Sequence, residues 1–328
     1  MTISISQFQQ TAIEKWVALQ AGARPTTWDI MMQTGIAENV KEWANDASAF
    51  VYNWDTPGWV SFQDYENAKE VSKVPVEKTA KMFALGAKIV MGPAELAHVQ
   101  SNELGIQVGF ASMQSSILAD LKRQINSVIA NGNTARYGAK DDPSMKDRGS
   151  NTFPGVYNGT ANTDYVTISM GTDNDNNISA YGDLQDSYAN ALDAVYGHVD
   201  DRRCFCVMDP PTFAAVAKLR HATSGKSELA AFKEAYPNVQ IDIDESILER
   251  ESDAVYSDMH KIAFVFPFDT NGEGLLKLKV SKDLHVQPVG GGTIQPDGKF
   301  HWLLGWKGGV LKKSAYAVVV PSANLTIA

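Results

Sequence analysis

Five of the seven tryptophans, Trp16, Trp28, Trp43, Trp54 and Trp59, fall in the first 59 residues, a stretch with no pattern able to bury them. Pro25, Pro57 and several glycines interrupt it. Its one short helical stretch, residues 6–20, sets Phe8, Ile13, Trp16, Val17 and Leu19 only loosely along one face. A buried indole removes up to about 250 Å² from water, so each of these needs a surface to lie against. Residues 1–59 therefore read as an N-terminal arm laid on another surface.

Between Val60 and Met91 polar and apolar residues alternate, with lysines at Lys69, Lys73, Lys78, Lys81 and Lys88. Val74-Pro75-Val76 and Ala87-Lys88-Ile89-Val90 read as strand pieces, with Gly86 breaking the run between them. The expectation is an extended, charged β-hairpin loop over residues 60–92. Pro93 then opens a helix, with Glu95 at the positive end of its dipole. Phe110, Met113, Ile117, Leu121, Ile125 and Val128 are spaced by three or four. They predict a spine helix over 110–130, about 31 Å long, ended by Asn131-Gly132.

Residues 131–182 are rich in Gly, Asn, Asp and Thr and read as loop, with one strand at Tyr165 to Met170. Helical patterns over 184–195, 211–219 and 228–236 then alternate with strands over 204–208 and 239–243. The rest is mainly strand: 262–266, 275–280, 300–306, 310–312 and 316–320. The mixture predicts an α+β fold.

Bulk numbers narrow the function classes. At roughly 150 residues per domain, 328 residues suggest about two domains, and 44% hydrophobic content is enough for a core. A net charge of −9, with the 29 Lys and Arg spread along the chain, disfavours a dedicated nucleic-acid reader. No apolar run approaches the ~20 residues of a membrane span, and the first residues lack the order of a signal peptide. The expectation is a protein that neither crosses a membrane nor is secreted. Cys204 and Cys206, the only cysteines, would share one face of a strand as buried thiols.

Known site patterns fail one by one. Ser224-Gly225-Lys226-Ser227 ends like a phosphate loop, but Arg220 stands where its first glycine belongs, so Lys226 and Ser227 read as the start of the next helix. Asp173-Asn174-Asp175-Asn176-Asn177 begins like a calcium loop, yet Ile178 and Leu184 occupy the turn and bidentate-ligand positions. The six histidines never fall in metal-ligand spacing. Gly290-Gly291-Gly292 reads as a hairpin loop, and Asp242, Asp244 and Glu245 as a charged strand end. No catalytic residue, cofactor site or metal site is expected, and the chain reads as a non-enzyme.

The order of the pieces resembles the major capsid protein of tailed bacteriophages, whose fold encapsulin shells share. The resemblance covers roughly residues 60–320. It rests on the aromatic arm, the lysine-bearing ribbon, the spine helix, the stretch Phe153-Pro154-Gly155-Val156-Tyr157-Asn158, the small α+β unit, and Gly305-Trp306-Lys307-Gly308-Gly309-Val310 leading into Tyr316-Ala317-Val318-Val319-Val320-Pro321. The sequence departs from the commoner capsid ending in having Trp306-Lys307 where a basic residue often precedes the Gly-Gly-Val turn. The resemblance implies an arm over 1–59 and an extended loop over 60–92 lying on a neighbouring subunit. It implies a peripheral domain over 93–182 and 260–328, and an axial domain over 183–259 around the five-fold and six-fold centres. Some members cross-link through a lysine and an asparagine; Lys78 and Lys88 lie in the matching segment, and no motif identifies a partner.

The resemblance implies a structural role: a self-assembling subunit of an icosahedral virion shell, built from pentamers and hexamers of itself and assembled in the bacterial host cytoplasm. Scaffold, portal and decoration proteins would be its partners, with only non-specific contact to packaged double-stranded DNA. Trp16, Trp28, Trp43, Trp54, Trp59, Lys78, Lys88, Gly155 and Asn158 are the expected subunit-interface residues. An encapsulin-type cargo shell and a soluble α+β enzyme are the alternatives.

Overall fold

The computed structural model describes residues 24–42, 44, 46–54, 73–94, 118–132, 155–157, 166–169, 180–196, 199, 203–247, 262–269, 272 and 274–322. The expected helix over 6–20, Trp16, Trp43, Trp59, Asn158 and the Asp173 to Asn177 run lie outside the described residues.

Alternation along the strands explains the architecture. β5 (Val166–Ser169), β6 (Cys204–Met208), β7 (Val239–Ile243), β8 (Ile262–Val265) and β11 (Val318–Ser322) form one sheet in the order β5-β11-β8-β6-β7. Every second side chain faces one way. Cys204, Cys206, Met208, Phe264 and Val319 enter one apolar cluster, while Phe205, Val207, Ala263, Val265, Val318 and Val320 enter another. The sheet is thus a wall between two cores, which is why its central strands β6, β8 and β11 carry apolar residues on both faces.

The smaller core is closed by α3 (Asp183–Val195), α4 (Pro210–Lys218) and α5 (Glu228–Ala235), which contribute Leu184, Tyr188, Ala191, Val195, Val216 and Phe232. Local signals set these helices. Asp209 caps α4 by accepting from Thr212 N at 3.0 Å, with Pro210 in its first turn. Ser227 caps α5 from Ala230 N at 3.3 Å, so Lys226-Ser227 does begin a helix. The buried Glu228 carboxylate accepts from Gly182 N at 2.8 Å and Gln185 N at 3.3 Å, satisfying the N-terminus of α3.

On the other side lies the larger core, between the wall, the spine helix and a second sheet. The spine helix, α2, is described over 118–131; the expected start at Phe110 lies outside the described residues. Leu118, Leu121, Ile125, Val128 and Ile129 are buried, and Ala119, Asp120 and Arg123 face outward. The second sheet has the order β1-β9-β10-β4, from Ala37–Asn39, Leu276–Pro288, Phe300–Lys312 and Phe83–Met91.

Four strands differ from expectation in their bounds. β9 runs on to Pro288, and β10 crosses Gly305, Gly308 and Gly309 unbroken, with register shifts against β9 on either side of Lys307. Those shifts absorb the glycines that sequence reading takes as a break. Gly308 is required: a Cβ there would come within 2.5 Å of the Trp306 indole. β4 crosses Gly86 and pairs along its whole length with β10, so residues 83–91 belong to the body of the molecule and not to the loop expected over 60–92. The last strand begins at Val318, after a 3-10 turn over Ala315–Ala317.

Candidate functional site

Two consecutive pieces of chain, a strap and a ribbon, carry the features expected to meet other subunits. The strap starts with α1 (Thr26–Met31), which buries Thr27, Trp28, Ile30 and Met31. The Trp28 ring is fully buried, edge-on to Trp306 with centroids 6.3 Å apart, and the Arg24 guanidinium lies 5.4 Å from its centroid. Trp28 therefore belongs to the chain's own core. Sequence reading expects an arm residue lying on another subunit, because its partner within the chain sits near the far end of the sequence, where no local pattern announces it.

Beyond α1, β1 runs parallel to β9, Ala37 opposite Leu278. Lys279 Nζ donates to Glu38 at 2.7 Å, Lys282 pairs with Glu42, and Ser281 Oγ donates to Lys41 O at 3.0 Å. Arg203, from the wall, donates to Gln33 at 2.7 Å. The strap thus touches both sheets.

The ribbon follows at once. β2 (Asp46–Trp54) and β3 (Lys73–Lys81) pair antiparallel over nine residues each, from Asp46 opposite Lys81 to Trp54 opposite Lys73. At ~3.4 Å per residue it is about 30 Å long. Among the described residues these strands form a sheet of their own, with no third strand on either edge. One residue, Met82, separates β3 from β4. The ribbon is therefore anchored by the strap through β2 and by the second sheet through β3. It comprises 46–54 and 73–81, which moves it N-terminal of the expected range and takes part of the arm with it.

Of the expected interface residues, Trp54 closes β2 and Lys78 lies half-exposed on β3 opposite Ala49. Lys88 is exposed on β4 opposite Leu303, so it shares no element with Lys78. Gly155 is buried against the end of α2: Val156 N and Tyr157 N donate at 2.8 Å to the carbonyls of Ile129 and Ala130. A Cβ on Gly155 would lie 2.4 Å from Ala130 O, so glycine is needed for this close approach within the chain itself.

Sequence reading missed a buried polar cluster where strap, spine helix and wall meet. Asp244, expected in a charged strand end, is only 3% exposed. It accepts from Thr27 N at 2.9 Å, from Thr27 Oγ1, from Asn126 Nδ2 at 3.0 Å and from Ser246 N at 2.7 Å. Thr27 Oγ1 also meets Tyr157 OH at 3.0 Å, and Asn126 Oδ1 accepts from Trp28 N at 2.9 Å. Burial, reinforced by the Asp244 charge, pushes the Tyr157 phenol well above its ordinary value. Asp242, on the adjacent strand end, is raised by burial. Nothing in the spacing of Thr27, Asn126 and Asp244 announces their meeting.

Among the described residues no chemistry gathers elsewhere in a reactive form. Cys204 and Cys206 are free, buried, and raised by burial, which makes them poor nucleophiles. Among the described residues no three His, Cys, Asp or Glu side chains stand together as a metal site, and no helix is long and apolar enough to cross a membrane. An apolar groove of about 440 Å³ lies between the C-terminal ends of α3 and α5, lined by Tyr188, Leu192, Tyr196, Tyr236, Val239 and Phe266.

No family model and no curated protein matches the chain. Solved structures do. The virus-like particle from Pyrococcus furiosus matches with a TM-score of 0.55 at 14% identity, covering 97% of this chain and 100% of that one. The capsid of Myoviridae phage XM1 matches at 0.57 and 14% identity over 89% and 90% of the two chains. The capsid of a native GTA particle matches at 0.58 and 15% identity over 92% and 91%. The chain has the α+β capsid-protein fold of tailed bacteriophages, as the order of its sequence elements implied.

Proposed function

We propose that this chain is a shell subunit: the major capsid protein of a tailed bacteriophage, which assembles through many copies of itself into an icosahedral head around double-stranded DNA. The observation that carries the reading is the ribbon. A two-stranded hairpin is marginal in water on its own, and this one, on a body of capsid fold, has no third strand on either edge among the described residues. Lying on a neighbouring subunit supplies the third surface it lacks. Contacts of this kind are individually modest and add by repetition around a closed shell.

In this reading the unit over 183–259 stands near the ring centres, and residues 93–182 and 260–328 form the peripheral part. Lys78 and Trp54 meet a neighbour through the ribbon, and Lys88 does so from the body. Trp16, Trp43, Trp59 and Asn158 remain proposed interface residues. Scaffold, portal and decoration proteins complete the virion, which assembles in the host cytoplasm. The net charge of −9 suits a lining that repels DNA and keeps it mobile.

The test uses the ladder register. Replacing residues 50–77 by Asn-Gly closes a short hairpin between Ala49 and Lys78, which face each other. The wild-type chain should elute as a megadalton particle and show shells by negative-stain microscopy. The trimmed chain should remain small, with a nearly unchanged urea midpoint. A wild-type monomer, or a trimmed chain that assembles equally well, overturns the reading. A second reading, an encapsulin-type shell around protein cargo, is favoured by the match to the Pyrococcus furiosus particle along that chain's full length. DNA protected from added nuclease inside the particles, against co-purifying protein there, separates the two.

A further inference from the structure

The Asp244 cluster joins parts of the chain that are remote in sequence. Its donors come from the strap (Thr27), the spine helix (Asn126) and the turn after β7 (Ser246), and all of these residues are at most 3% exposed. A buried carboxylate is tolerated only when its acceptor positions are filled, and a half-filled buried polar network is worse than an apolar one. Asn126 is committed from both ends: its amide nitrogen donates to Asp244 and to Ser246 Oγ at 3.2 Å, while its oxygen holds the Trp28 amide. If α1 lifts away, Asp244 loses both Thr27 donors and Asn126 loses its acceptor role together. The cluster therefore favours a strap that is either fully seated or fully released.

The strap leads from Thr27 to Asp46, where the ribbon begins. We propose that Asp244 is a latch: it seats the strap before any neighbour is met, and so fixes the direction in which the ribbon's first strand leaves the body. The latch itself needs no second copy, whereas its consequence for assembly rests on the shell reading above. A strap released along its whole length, β1 and its contacts to β9 included, leaves the ribbon anchored only through Met82 and β4, free to swing, and a swinging ribbon must be ordered at the moment of contact.

Amide hydrogen exchange on the purified full-length subunit tests this. Thr27→Val removes the hydroxyl donor at nearly constant shape, and Asp244→Asn removes the charge. Each should speed exchange in residues 24–40 by at least about tenfold, the effect of losing a charge-assisted hydrogen bond. Strand 204–208 should keep its protection. Thr27→Ser, which retains the hydroxyl, should restore protection of the strap. Unchanged exchange in 24–40, or an equal rise in 204–208, overturns the latch, and Thr27→Val decides the matter if Asp244→Asn does not fold. Exchange is read on the subunit, so a wild-type chain that never forms shells removes the shell reading and leaves this result standing. With both intact, Thr27→Val should assemble more slowly and yield more open particles.

Discussion

The strap and the ribbon are neighbours in sequence and opposites in structure. Residues 26–39 give their tryptophan, isoleucines and one methionine to the chain's own core and pair with β9. The ribbon's strands, over 46–54 and 73–81, pair only with each other among the described residues. Each carries a tryptophan, Trp28 in the one and Trp54 in the other, and this likeness conceals the difference. What separates them is the availability of a partner: Trp306 and Leu278 wait for the strap, and nothing described within the chain waits for the ribbon's edges. In the shell reading, dependence on other copies is thus a property of the ribbon, whereas the strap belongs to the folding of the monomer.

Trp28→Ala is the strongest way to break that contrast. Removing a fully buried indole from the larger core should cost about 3–5 kcal/mol of subunit stability. Urea unfolding of the unassembled subunit measures it. A variant with wild-type stability but defective assembly would put Trp28 at an interface after all and merge strap with ribbon.

How much of this was legible in the sequence follows the same line. Strands β6, β7 and β8 and helices α3 and α5 were visible because their signals are local: alternation, caps and helical spacing. That β6 and β8 face a core on each side is shown by the structure and was not read from the sequence. The order of elements along the chain carried the fold. The pairing of β4 was invisible, because a strand's pattern states which faces are apolar and not which strand lies beside it. The path of β10 through Gly305 to Gly309 was hidden for a related reason, since glycines that break an isolated strand are tolerated where a register shift and a close indole require them. Asp244 was misjudged because a carboxylate at a strand end is ordinarily solvated; only the arrival of Thr27 and Asn126 from distant segments makes it a buried hub.

Gly155 sharpens the comparison from the side of the core. Expected at an interface, it instead lies where the chain folds over the end of α2, with Ala130 O, Gly132 N and Asn131 C within 2.5 Å of any added Cβ. Gly155→Ala should therefore destabilise the isolated subunit by about 1–3 kcal/mol, as overpacking of a fixed backbone does. Thermal unfolding of the unassembled chain is the measurement. An unchanged midpoint together with a loss of particles would return Gly155 to the contact surface.

The smallest expected effect concerns the far end of the strap. Glu38 is held below its ordinary value of 4.5, first by the hydrogen bond from Lys279 and then by the charges of Lys279, Lys277 and Lys313, against a desolvation penalty that opposes them. A carboxyl whose folded value is depressed adds stability above its unfolded value, and that stability is lost as pH falls through the folded one. Glu38→Gln should thus lower the urea midpoint at neutral pH, with the gap to wild type closing below about pH 4.5 as the native carboxyl also becomes neutral. Glu38 is half-exposed, so the loss should stay near 1 kcal/mol or less. The Lys279 ammonium, only 6% exposed, sets it toward the top of that range because it is left without this partner. A gap that persists unchanged into acid would mean that Glu38 acts through packing, and would leave the backbone pairing of β1 with β9 as what holds the strap's end.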